Sequence, residues 1–173
     1  MKYVIFLITT AVLISCGSVN VAYDYDEEIN FEQYQTYNYM PDMDTGLSQL
    51  DLDRLTRATD SVLAKKGFKL AKSPAILINV FSGQYEQRPN STVGVGVGSG
   101  GRGGGISIGG GIPLGGNTLH QTITIDVIDA EQDILIWQAV SDSNRPLGTT
   151  PAARDTYFTK IALEIFEKFP PEK

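Results

Sequence analysis

Cysteine, histidine and tryptophan each occur once in the 173 residues, at Cys16, His120 and Trp137. A single thiol cannot close an internal disulfide, so the core must hold by packing alone. One histidine and one cysteine cannot build the usual His and Cys cages for a transition metal, and no cofactor or metal is expected. Basic charge is also short: 14 Lys and Arg face 20 Asp and Glu, a formal net charge of −6. A surface of that sign repels phosphate backbones, which argues against nucleic acid as a partner. The apolar run near the start is shorter than the roughly 20 residues that a membrane-spanning helix takes.

What is present begins at the N-terminus. Met1-Lys2-Tyr3 is a short basic start, residues 4–12 are apolar apart from Thr9 and Thr10, and Leu13-Ile14-Ser15-Cys16 follows. A charged start, a brief apolar core and a small residue at a cleavage point make a secretory signal. The Leu-Ile-Ser-Cys ending resembles the bacterial lipobox, whose cysteine is acylated and becomes the first residue of the mature protein. That resemblance implies a signal peptide over 1–15, lipidation of Cys16, a lipidated tether over 16–20 and one domain over 21–173. Acyl chains such as palmitate contribute about 0.8 kcal/mol per buried methylene, and stable anchoring takes more than one chain. Gly17 is not the aspartate that resembles an inner-membrane retention signal, so the expected site is the outer membrane, facing the periplasm. No acidic run follows Cys16, which argues against export to the cell surface.

The rest of the chain alternates between two periodicities. Val19, Val21, Tyr23 and Tyr25 recur at period two, as a strand requires. Phe31, Tyr34, Tyr37 and Tyr39 suggest a turn and a second short strand, and residues 41–48 a polar loop. Over 50–66, Leu52, Leu55, Ala58, Thr59, Val62 and Leu63 fall on one helical face. Ser48 with Asp51 offers the start cap, and Gly67 with Phe68 the stop. Residues 75–82 read as a central strand, and 122–128 with 134–140 as a hairpin carrying Trp137; a polar stretch over 141–149 follows. Thr150-Pro151 opens a last helix whose apolar face is Phe158, Ile161, Ala162, Ile165 and Phe169, with Pro170-Pro171 stopping it. This order predicts an α+β fold: a two-layer sandwich with a mostly antiparallel sheet and two helices packed on one face.

Glycine is abundant but unevenly placed. Thirteen of the 18 glycines fall in the 94–116 insertion, where Val93, Val95 and Val97 alternate with glycine and Ile106 and Ile108 flank Ser107. Such a pattern describes a hairpin with one apolar and one bare face, turned near residues 99–105, that packs on the domain or a partner. Val95, Val97, Ile106 and Ile108 are then the candidate interaction surface. A flexible loop is the reading the entropy favours, because glycine loses much freedom on ordering.

Several short motifs imitate chemistry. Gly96, Gly98 and Gly101 match the dinucleotide spacing but open no helix after a strand. Gly105-Ile106-Ser107-Ile108-Gly109 spells a nucleophile elbow, yet no acid lies between Ser107 and His120. His120 reads as a strand-edge residue rather than a general base. Asp24, Asp26, Glu27 and Glu28 cluster after the first strand. A hydrolase using that cluster would need two carboxylates converging in a cleft. Asp42 and Asp44 precede Gly46, but the glycine is one place short for an EF-hand loop.

Residues 21–26, Phe31-x-x-Tyr34-x-Thr36-Tyr37, Lys66-Gly67-Phe68, Leu135-Ile136-Trp137 and Lys168-Phe169-Pro170-Pro171 together resemble a family of bacterial lipoproteins, domain of unknown function 4136. The resemblance spans nearly the whole mature chain. It departs at Ala75 after Pro74, where an acid is common, and at Gln138-Ala139 after Trp137, where a basic residue and glycine are common. It implies an envelope location and an α/β domain, and no active site. The expected protein is a non-enzymatic envelope lipoprotein held to the membrane through lipid on Cys16, binding or supporting another envelope protein. A module for a small apolar or lipid ligand held between sheet and helices is the alternative, and a hydrolase built on the acidic cluster a second one.

Overall fold

A computed structural model describes residues 19–87, 92–94, 111–113, 118–146 and 148–171. Ten elements follow in chain order: β1 (Val19–Tyr25), β2 (Thr36–Tyr39), α1 (Gln49–Lys65), β3 (Lys69–Leu70), β4 (Ile76–Gln87), β5 (Thr92–Gly94), β6 (Gly111–Pro113), β7 (Thr118–Asp129), β8 (Ile134–Pro146) and α2 (Pro151–Ile165). Single turns of 3₁₀ helix occupy Phe31–Gln33 and Phe166–Lys168. Six strands form one sheet in the order β1-β8-β7-β4-β2-β3, and β5 pairs with β6 apart from it. The β1–β8, β8–β7 and β7–β4 pairs are antiparallel, whereas β2 runs parallel to both β3 and β4. The fold is the expected α+β sandwich with a mostly antiparallel sheet, made mixed by the parallel β2 pairings.

Alternation along the strands decides which face is covered. Ile76, Ile78 and Val80 of β4, and Ile123, Ile125 and Val127 of β7, are buried beneath the helices. Their neighbours Phe81 and Tyr85 are exposed on the opposite face, as a one-sided antiparallel sheet allows. Leu55, Val62 and Leu63 of α1 meet Phe158, Ile161 and Ile165 of α2 over this layer. A bulge between Val127 and Ile128 leaves Ile136 unpaired, and Ile136 and Trp137 are both buried.

The helix ends follow the sequence signals. Ser48 accepts from the Asp51 backbone N–H and Thr150 from that of Ala153, with Pro151 in the first turn of α2. Gly67 takes φ +91°, and the Phe68 N–H returns to the Leu63 carbonyl at 3.0 Å. Three sequence expectations change. The last strand does not stop at residue 140: β8 continues through the polar stretch to Pro146, with Ser141 and Ser143 buried. Ser141 Oγ donates to the Ile123 carbonyl, and Ser143 Oγ lies 2.7 Å from the Tyr157 hydroxyl, so both buried serines are hydrogen-bonded. Phe169 is buried as expected but lies beyond α2, which gives way to the 3₁₀ turn at Phe166. His120 is not on an edge strand, since β7 lies between β8 and β4.

Candidate functional site

The aromatic alternation of β1 places a pair of rings at one end of the sheet. Tyr23 and Tyr25 point to the same side, stacked at 6.4 Å and 10°. Tyr25 meets Phe31 edge-on at 6.1 Å, and Phe31 meets Phe169 at the same distance. Asn30 caps the 3₁₀ turn that fixes Phe31 by accepting from the Glu32 N–H. The opposite wall comes from far along the chain. Lys66, just past α1, donates through Nζ to the Glu167 carbonyl at 3.3 Å, and Pro170 and Pro171 close the side. Together these groups enclose an open cleft of about 740 Å³, lined by aromatic and proline surface and by Asn30, Glu32, Lys66, Glu167 and Lys168.

Other polar groups serve the fold. Asp51 is buried and holds Arg54 at 3.0 Å and Arg154 from α2, while Asp155 holds Arg54 at 3.0 Å and Arg57 at 3.4 Å. This network clamps the two helices together. Asp60 of α1 accepts from the Tyr37 hydroxyl at 2.8 Å and from that of Tyr39 at 2.7 Å, tying the helix to β2. Burial, followed by the adjacent Asp60, pushes both phenols up. The Tyr34 hydroxyl donates to Asp129 at 2.6 Å. Burial and that carboxylate push Tyr34 up to about 12, and the same hydrogen bond holds Asp129 below its ordinary range. Asp129 also accepts from the Glu131 and Gln132 N–H groups, each at 2.8 Å, and so shapes the β7–β8 turn.

The residues singled out from sequence fare unevenly. Cys16, Val95, Val97, Ile106 and Ile108 lie outside the described residues. Asp24, Asp26, Glu27 and Glu28 are exposed; Asp24 accepts from the Tyr25 N–H and Asp26 from that of Glu28, which are local turn bonds. Among the described residues no three His, Cys, Asp or Glu side chains are placed to hold a metal ion. His120 lies against the Tyr85 ring at 4.6 Å, with Nε2 3.0 Å from Asp142 and Nδ1 3.0 Å from Asn144. Sequence reasoning missed the cleft. The alternation of Tyr23 and Tyr25 was visible, but nothing local announces that Lys66 and residues 167–171 face them.

Among the described residues, the fold and cleft together define an α+β sandwich with one uncovered sheet face and an aromatic notch at one end. The chain belongs to the family described as domain of unknown function (DUF4136), whose model matches residues 21–171. Among solved structures it is similar to a PDZ domain protein from Parabacteroides distasonis ATCC 8503, with a TM-score of 0.55 and 13% identity over 91% of this chain. It spans 37% of that protein's length. It is also similar to PelC from Paraburkholderia phytofirmans, solved as a dodecamer, with a TM-score of 0.53 and 8% identity over 90% of this chain and 100% of that one. These likenesses establish shared architecture. A minor lipoprotein from Acinetobacter baumannii is similar more loosely, at a TM-score of 0.39 and 12% identity over 78% of this chain and 89% of that one. No curated protein matches the sequence significantly. None of the described helices is long and apolar enough to cross a membrane.

Proposed function

We infer that this is a lipid-anchored protein of the bacterial envelope, fastened through acylated Cys16 at the periplasmic face of the outer membrane, whose domain binds another envelope component and performs no catalysis. The signal and Leu-Ile-Ser-Cys pattern supports the anchor. The cleft carries the binding role. It is open and mixed in polarity, and it sits at the Tyr25 end of β1, whereas the chain enters the domain at the Val19 end. An anchored domain therefore turns the notch away from the lipid, where a partner can reach it. Aromatic rings beside a few polar groups are the usual composition of a recognition surface.

The alternatives draw less support. An apolar ligand between sheet and helices would need space that Trp137, Phe158, Phe166 and Phe169 fill. A hydrolase on the acidic cluster would need carboxylates converging in a cleft, and those after β1 bond to their own turn. The binding role is tested by a photoreactive phenylalanine analogue at Tyr23 in intact cells, with Tyr85 as comparison. A discrete adduct specific to position 23 is expected. Equal labelling at both positions would remove the cleft from the reading.

A further inference from the structure

The sheet face that the helices leave uncovered is ordered in rows. Register sets Ala22, Val140, Thr124 and Phe81 side by side across β1, β8, β7 and β4, and Phe81 is half exposed. One flanking row is Asp24, Gln138, Asp126 and Asn79; the other is Asn20, Asp142, Thr122 and Gly83. The three aspartates point outward because Tyr25, Ile125, Val127, Ser141 and Ser143 beside them turn to the covered side. No lysine or arginine occurs on β1, β4 or β7. Arg145 of β8 lies on the covered side, against Gln121 and the Tyr157 ring. The two carboxylate rows stand four residues apart along the strands, about 13 Å at strand rise.

The opposite side of the molecule carries the complement. A groove of about 340 Å³ between α1 and α2 is lined by Arg54, Arg57, Ser61, Lys65, Asp155 and Leu163. Arg54 is held between Asp51 and Asp155, whereas Arg57 touches Asp155 at 3.4 Å and stays mostly exposed. Lys65 has no ion-pair partner among the described residues. Arg57 and Lys65 are separated by about 12 Å at helical rise, close to the spacing of the carboxylate rows. Leu163 is half exposed beside them.

Direction matches as well as spacing. Gly46, just before α1, packs on Ser82, which register places level with Val21, and α1 ends beside Lys66 in the Tyr23–Tyr25 cleft. Arg57 therefore lies toward the Val19 end of the sheet and Lys65 toward the Tyr25 end. The Asp142 row is likewise nearer Val19, and the Asp24–Asp126 row nearer Tyr25. Two copies in one common orientation bring Arg57 opposite Asp142, Lys65 opposite Asp24 and Asp126, and Leu163 toward Phe81. We propose that the uncovered sheet face of one molecule seats on the α1–α2 groove of a second copy. Face against face would instead set carboxylate on carboxylate. Each copy keeps one surface of each kind free, so the association continues into a row or closes into a ring. Repetition along the sheet normal leaves every Val19 end on one side and every cleft open, which suits the anchor reading without depending on it.

The test uses the full chain in the cells that make it, read against the unsubstituted protein under the same oxidant. Ser61→Cys puts a thiol in the groove and Thr124→Cys one in the central row of the sheet face. Copper phenanthroline should join the doubly substituted chain into a ladder of dimers, trimers and larger species, and leave each single variant monomeric. Thr124→Cys combined with Glu131→Cys, on the β7–β8 turn, should give no ladder. Lys65→Glu should remove most of the ladder, and Asp126→Lys added to it should restore it, which chance collision of crowded molecules would not do. Absence of a ladder from the 61 and 124 pair overturns the proposal. So do dimers of the Thr124→Cys protein alone, which mean that the face meets itself, and a ladder indifferent to Lys65→Glu.

Discussion

Asp51 is a carboxylate withdrawn from water between two guanidinium groups, Arg54 one turn along α1 and Arg154 on α2. Taking such a group away leaves cations that the fold has partly desolvated. Asp51→Ala should cost about 3 kcal/mol, seen as a lower urea midpoint with unchanged slope. A loss within about 0.5 kcal/mol, as for an ordinary surface change, would mean the arginines simply turn back to water. Tyr34 makes a different claim. Its phenol is raised from 10.0 to about 12 in the folded protein, so the neutral form is favoured there. The stability this contributes is complete below pH 10 and drains away as pH rises from 10 through 12. Tyr34→Phe keeps the ring and removes the titration. The stability difference between wild type and variant should hold steady up to pH 10 and shrink above it; a constant difference to pH 12 would show that the phenol ionises freely in the fold.

Two glycines with positive φ separate backbone strain from crowding among the elements. At Gly67, φ is +91° and a Cβ would meet nothing within 4 Å, so Gly67→Ala should cost only the left-handed penalty, about 1–2 kcal/mol. At Gly46, φ is +66° and a Cβ would stand 2.6 Å from the Ser82 carbonyl oxygen of β4. Gly46→Ala should cost clearly more, because backbone must move as well. Equal losses in thermal unfolding would show that the loop before α1 lifts away at no cost. The helix boundaries were legible because capping is local: Ser48, Gly67, Thr150 and Pro151 act on residues within one turn. The outer ends of β4 and β8 were not. There the inward positions carry Ser82, Gln121, Ser141 and Ser143, which find partners inside; Gln121 Nε2, for instance, donates to Ser82 Oγ at 3.2 Å, and Ser141 Oγ to the Ile123 carbonyl. Hydrophobic alternation disappears wherever polar groups pair inside, so the sequence pattern stopped short of the strands.

At the scale of the molecule, the proposed function turns on orientation: tied at Cys16, the domain would present the β1 entry end to lipid and the Tyr23–Tyr25 cleft away from it. Cys16→Ser should release the protein into a soluble or unprocessed form; protein that still sediments with membranes after an alkaline carbonate wash would remove the lipid anchor. The sequence by itself determined the two helices with their caps, the strand-forming segments and the family, because each rests on residues adjacent in the chain or on one periodicity. Only the tertiary structure decided that β2 runs parallel to β4, that Asp51 binds α1 to α2, and that Lys66 and residues 167–171 complete a wall opposite Tyr23 and Tyr25. Those choices pair groups far apart in the chain; Asp51 and Arg154, for instance, are 103 residues apart. No local propensity encodes them, since they follow from how the covered face of one sheet is shared between two helices.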